Sequence, residues 1–156
     1  MPGRRRAREI AVQLLFQADW EEDIDWDKSH SFAKAALEEY FENFSLSPSE
    51  KEDEELAEFV VDLVSGVLLR KDYIDATIEK FSKGWKIGRM ANVDRNILRL
   101  GVFELCYHPD IPPKVAINEA VELAKKFGDA NSPNFINGIL DSVYQKACPE
   151  KKQLNI

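Results

Sequence analysis

The sequence has 156 residues, 44% of them hydrophobic and 31% charged, with a formal net charge of −7 at pH 7. That length and balance fit one globular domain able to bury a core without disulfides or metals, and they exclude a disordered chain. No apolar run approaches the roughly 18 residues of a spanning helix; Ile10 to Phe16 is interrupted by Gln13 and followed by acid, so neither a membrane span nor a secretory signal is expected.

Charge is unevenly distributed. Arg4, Arg5, Arg6 and Arg8 give the first eight residues a local charge of +4, whereas residues 19–58 hold fifteen acids against Lys28, Lys34 and Lys51, a local charge of −12. An acidic chain of this kind still carries a basic contact surface. The Arg-rich start imitates an organellar transit peptide, but Glu9 and the acids beyond it argue against one. The sequon Asn43-Phe44-Ser45 then reads as chance, and Cys106 and Cys148, in apolar helical contexts, as two reduced, buried thiols of a cytoplasmic protein.

Helical periodicity recurs along the whole chain and strand signals are nearly absent, so the fold class is all-α. A first helix is predicted from about Arg4 to Asp19, with Ala7, Ile10, Ala11, Leu14, Leu15 and Ala18 as its core stripe. A second covers Ser29 to Phe44 and breaks at Ser45 to Pro48. Ser49 and Glu52 form a capping-box pattern opening a third helix, with Leu56, Phe59, Val60, Leu63, Val64, Val67 and Leu68 on one face. A fourth spans about Asp72 to Lys83 and stops at Gly84. Residues Trp85 to Ala91 form a connector, which divides the single domain 1–156 into subdomains of roughly 1–84 and 85–148. Asn92 to Tyr107 is apolar almost all round and belongs at the centre of a core. Pro112-Pro113 leads into a helix ending at Phe127 and Gly128, and Ser132 with Pro133 opens the last, in which Gly138 marks a close helix contact.

Catalytic chemistry is missing. His30 and His108 lie far apart with no zinc spacing, Gly84 and Gly88 form no phosphate loop, and no carboxylate pair stands out. No catalytic residue, metal or cofactor is expected. The first helix does depart from a bland amphipathic pattern. On a wheel of about 100° per residue, Arg5, Glu9, Val12, Phe16 and Trp20 fall together opposite the core stripe, with Gln13 and Arg6 on one flank and Arg8 on the other. Guanidinium groups beside aromatic rings are the means of phosphate neutralisation and base stacking in single-stranded RNA binding. Periodicity alone leaves the alternative open, in which Phe16 and Trp20 pack under the second helix and the arginines merely solvate.

Four stretches go further. Arg4-Arg-Arg-Ala-Arg-Glu-Ile-Ala-Val-Gln-Leu-Leu-Phe16, Val93-Asp-Arg-Asn-Ile-Leu-Arg-Leu100, Pro113-Lys-Val-Ala-Ile-Asn-Glu-Ala-Val-Glu-Leu-Ala124 and Asn134-Phe-Ile-Asn-Gly-Ile-Leu-Asp141 resemble, in order, the signatures of the NusB family of bacterial transcription antitermination factors. The resemblance covers nearly the whole chain and is weakest from Asp19 to Glu55. It implies about seven helices in two small packed bundles. It also implies binding of single-stranded boxA RNA of ribosomal RNA operons together with a ribosomal small-subunit protein, NusE, in an RNA polymerase antitermination complex. By position, the family's RNA contacts fall on Arg4, Arg5, Arg6, Arg8, Gln13 and Phe16, with a second patch at Asn131 and Phe135; its protein-partner surface falls on Asp94, with Phe16 at the edge. The family often has tyrosine where this chain has Phe16, which keeps stacking and removes a hydroxyl. Monomer and homodimer are both open. Two rivals remain: a NusB-like accessory domain of a ribosomal RNA methyltransferase, disfavoured because the sequence ends at Ile156 with no catalytic domain, and a basic-helix adaptor on anionic lipid, which would need the Ala7 to Ala18 stripe.

Overall fold

The computed structural model describes residues 2–19, 28–43 and 53–148. Among these, the regular elements include seven α-helices and a 3-10 turn at Ile87–Arg89: α1 (Pro2–Ala18), α2 (Ser29–Asn43), α3 (Glu54–Leu69), α4 (Lys71–Phe81), α5 (Asn92–Tyr107), α6 (Pro113–Phe127) and α7 (Ser132–Ala147). Trp20, Phe44 and the Ser49/Glu52 capping pattern lie outside the described residues.

The chain divides into two compact units, Met1–Leu69 and Arg70–Ile156. In the first, α1 and α2 both pack on α3. The predicted stripe of α1 is buried throughout, as are Leu56, Val60, Leu63, Val64, Val67 and Leu68 of α3. The backbone N–H of Leu56 donates to the Asp53 carboxylate at 3.1 Å, which satisfies one orphan donor at the start of α3. Glu54 and Glu55 follow in the first turn, where acid suits the helix dipole.

The second unit surrounds α5 with α4, α6 and α7. Every residue from Asn96 to Leu105 is buried, and each fully buried Ile or Leu there contributes about 1.5–3 kcal/mol relative to exposure. The unit boundary falls after Leu69, earlier than the connector near Gly84 that the sequence offered, because α4 is fastened to α5. The Arg99 guanidinium donates from Nε and Nη2 to the two Asp75 carboxylate oxygens at 2.7 and 3.0 Å, and from Nη1 to Asn96 Oδ1 at 3.1 Å. With the arginine side chain 6% exposed, this is a bidentate pair largely removed from water. The turn after α4 runs through Lys83 (φ 52°) and Gly84 (φ 91°). It is held by the Ser82 hydroxyl donating to the Trp85 carbonyl at 2.6 Å and the Ile87 N–H donating to Glu79 Oε1 at 2.9 Å.

Two expectations are corrected in this unit. Cys106 and Cys148 are not separate thiols: they are joined by a disulfide with Cα atoms 5.2 Å apart, and Cys106 is only half-buried. Their distance in sequence concealed this, since α7 packs back along α5 and returns its end to the end of α5. Gly101 is closely packed against another helix, and Gly138 is not. A Cβ on Gly101 would lie 2.7 Å from Leu140 Cδ1 and 3.5 Å from Ala120 Cβ, whereas nothing lies within 4 Å of the same position on Gly138. Alanine at each site gives opposite results. Gly138→Ala gains helix propensity and is expected to raise stability by about 1 kcal/mol. Gly101→Ala overpacks a contact with fully buried Leu140 and is expected to lower it by about 1 kcal/mol or more. Urea midpoints of the two variants against the parent chain measure both.

Candidate nucleic-acid interface

The four arginines of α1 do not share one environment. Arg4 and Arg8 are one helical turn apart, on the face that meets α3, and their guanidinium carbons lie 4.9 and 5.5 Å from the ring centroid of Phe59. Arg8 is buried, at 3% exposure. Arg5 and Arg6 turn away by about 100° and 200° from Arg4. Arg4, although its guanidinium lies over the ring, is exposed like Arg5, and Arg6 is partly exposed with Nη1 3.8 Å from Glu9. A groove of about 430 Å³ separates the start of α1 from α3, lined by Gly3, Arg4, Leu56 and Phe59 together with the acids Asp53, Glu55, Glu58 and Asp62. The basic helix therefore has an acidic neighbour on one side and an open side at Arg5 and Arg6.

Further along α1, Val12 is fully buried and Phe16 half-buried, so the second face seen on the helical wheel is a buried strip with an accessible edge at Phe16 rather than an open aromatic surface. Gln13 is oriented by α2: the Tyr40 hydroxyl donates to Gln13 Oε1 at 2.8 Å, which turns the two amide donors of Gln13 away from Tyr40. Sequence reasoning missed Tyr40 and Phe59. Phe59 counted only as part of an apolar stripe, and its signal was an aromatic ring on the helix that α1 would have to meet.

In the second unit, Asn131 is exposed and Phe135 half-buried at the start of α7. The N-cap position is Asn131, not Ser132, and the side chain that meets backbone donors here is that of Asp129, from the turn before the helix. The Asp129 carboxylate accepts from the backbone N–H groups of Asn131 and Ser132 at 2.8 and 3.2 Å, and the Asp129 N–H donates to the Ser132 hydroxyl at 3.0 Å. Two backbone donors that could have met a phosphate are thus occupied by a carboxylate, which leaves the Asn131 side chain and the Phe135 ring as the chemistry this end offers. Asp94 sits in the first turn of α5 and is half-buried. Its Oδ1 is enclosed and accepts no hydrogen bond among the described residues. His108 ends α5 as expected. No group of three His, Cys, Asp or Glu among the described residues could hold a metal ion, and no described helix is long and apolar enough to cross a membrane.

Comparison with known proteins gives these features a context. The model of the NusB family matches residues 5–145. The transcription antitermination protein NusB of Geotalea daltonii is 47% identical over 154 residues, covering 97% of this chain and all of that protein. The Myxococcus xanthus protein of the same name is 45% identical over 143 residues, covering 92% and 95%. Among solved structures, T. maritima NusB superposes with a TM-score of 0.79 at 34% identity, covering 96% of both chains. A structure of the antitermination factors NusB and NusE in complex with double-stranded RNA gives a TM-score of 0.71 at 30% identity, covering 93% of this chain and 98% of that one. With a match across both units and identity of this size over nearly the full length, the chain belongs to the NusB family.

Proposed function

We propose that this chain is a non-enzymatic, cytoplasmic RNA-binding transcription antitermination factor. It binds boxA-type single-stranded RNA of ribosomal RNA operons together with the ribosomal small-subunit protein NusE, and helps RNA polymerase resist termination. The observation that carries the RNA reading is the open side of α1: Arg5 and Arg6 leave a folded helix away from α3, and Gln13 and the Phe16 edge follow on the same helix. Arginine supplies charge to phosphate and a half-exposed ring supplies a stacking plane. Relatives named as antitermination proteins, and the solved NusB complex that holds NusE and RNA, support the same reading. Asn131 and Phe135 form the second RNA patch, through side chains rather than backbone donors.

Binding to anionic lipid through α1 is disfavoured on a specific ground. The Ala7 to Ala18 stripe that would enter the lipid is the core of the first unit. The methyltransferase-accessory reading has no observation in its favour, since the relatives share almost the full length of this chain.

Arg5 and Arg6 are assigned as the main phosphate contacts. Each phosphate neutralised on a single strand adds about −0.7 to the slope of log K against log salt, so replacing both with alanine is expected to flatten the slope by about 1.4. Titration of boxA-type single-stranded RNA across a salt series measures it, and an unchanged slope would overturn the assignment. A matched duplex run in parallel separates strand recognition from generic attraction to RNA.

Asp94 is assigned to the NusE surface. A half-buried carboxylate with an acceptor oxygen unfilled among the described residues suits a basic side chain that becomes partly desolvated on docking. Asp94→Ala is expected to weaken NusE binding by at least about 1.5 kcal/mol, between the values for rim and buried pairs, with RNA binding by the isolated chain nearly unchanged. Calorimetry with NusE and RNA in separate experiments measures both, and equal losses would mean that the substitution disturbs the fold.

A further inference from the structure

We infer that Phe59 of α3 is a positioning residue for RNA: its ring holds the guanidinium groups of Arg4 and Arg8 and so fixes the direction in which the intervening Arg5 and Arg6 leave α1. The inference rests on the reading of α1 as an RNA-binding helix. It begins from Arg8, which is 3% exposed. A buried guanidinium needs an environment that replaces water, and an aromatic face supplies electrostatic attraction that strengthens as water is excluded. Phe59 supplies that face to two arginines one turn apart, at 4.9 and 5.5 Å. Arg4 lies in the first turn of α1, where helices fray, so anchoring Arg4 and Arg8 on α3 holds the turn that carries Arg5 and Arg6 in register.

The surrounding charge gives this clamp a direction. Asp53, Glu55, Glu58 and Asp62 line the groove at Arg4 and Phe59, and four carboxylates there repel phosphate from the α3 side of the helix. The strand is confined to the side of Arg5 and Arg6. Arg4 and Arg8 then act on RNA mainly through the geometry they impose, and the flat, weakly hydrated guanidinium serves this better than a strongly hydrated ammonium on a flexible stem.

Binding of a short, fluorescently labelled boxA-type single-stranded RNA, followed by anisotropy at low and moderate salt, tests this with four variants of the full chain. Phe59→Leu keeps apolar volume and loses the ring; it is expected to bind about three- to tenfold more weakly and with a shallower salt dependence. Phe59→Tyr keeps the ring and is expected to stay within about twofold of the parent. Arg8→Lys keeps the charge and is expected to fall with Phe59→Leu, and the double variant Phe59→Leu/Arg8→Lys to be no worse than the weaker single one, because the two residues act as one unit. Parental binding by Phe59→Leu, equal weakness of the Leu and Tyr variants, or additive losses in the double variant would each overturn the inference. If Phe59→Leu melts well below the parent, the contrast between Phe59→Tyr and Arg8→Lys still decides it. Absence of RNA binding by the parent chain, or its indifference to Arg5→Ala/Arg6→Ala, overturns the underlying reading and this inference with it. A normal parent with an unmoved Phe59→Leu overturns this inference alone.

Discussion

A helix with no solvated face must be enclosed on every side, and α5 imposes that condition on the second unit. Its residues from Asn96 to Leu105 are all buried, three of them polar or charged: Asn96, Arg99 and Glu104. Apolar neighbours alone would leave a guanidinium stripped of water, so the covering helix must bring a carboxylate. Asp75 does so, and its bidentate hold on Arg99 assigns α4 to this unit. The other covering helices approach closely enough that a Cβ at one position of α5, Gly101, would lie 2.7 Å from Leu140 Cδ1 and make that side chain shift. The buried run begins just after Asp94, so this carboxylate stands where α5 emerges from its enclosure, half-buried and near the helix N-terminus.

In the first unit the corresponding problem falls to α1, which serves three directions at once. Ala7, Ile10, Ala11, Leu14, Leu15 and Ala18 fill the core, Arg4 and Arg8 turn to the Phe59 ring, and Arg5 and Arg6 turn outward. A period of 3.6 residues permits this, because neighbours in sequence differ by about 100° in direction. A run of consecutive arginines on a helix therefore divides among surfaces instead of forming one patch. The division is enforced by α3, which offers an aromatic ring and several acids to one side of α1 and leaves the other open.

What the sequence made legible follows from how local each signal is. Pro113 and Pro133 mark helix starts through their own backbone preferences: the Pro113 helix begins where expected, and the last begins one residue early, at Ser132. The enclosure of α5 was legible because an all-round apolar pattern has one stable location. Non-local facts were not. Whether Gly101 or Gly138 meets a neighbour depends on which helix lies across from it, and the pairing of Cys106 with Cys148 depends on where α7 returns. Arg8 read as one of four equivalent RNA-contacting arginines because nothing in its own helix removes it from water, yet it is 3% exposed with its guanidinium beside Phe59 of α3. At the start of α7, Ser132 and Asp129 both carry capping side chains, and the carboxylate takes the backbone donors. The candidate residues on α1 were legible as a set, while the ring that faces Arg4 and Arg8 belongs to a residue some fifty positions away.

A net charge of −7 sets the terms on which such a chain meets a polyanion. At physiological ionic strength, fields between exposed charges fade over about 8 Å, so on the proposed reading the acids across the surface do little to a strand held at Arg5 and Arg6 but oppose its approach from elsewhere. Attraction is therefore a short-range effect of the basic residues nearest the strand. A protein partner that brings basic side chains to Asp94 would change this balance, because it fills an enclosed acceptor and also reduces the net negative charge of the assembly. Encounter rates with RNA rise as like-charge repulsion falls. On the proposed reading, then, the partner's contribution to RNA binding need not involve a new contact with the strand: neutralising part of an acidic protein is enough to favour the complex over the isolated chain.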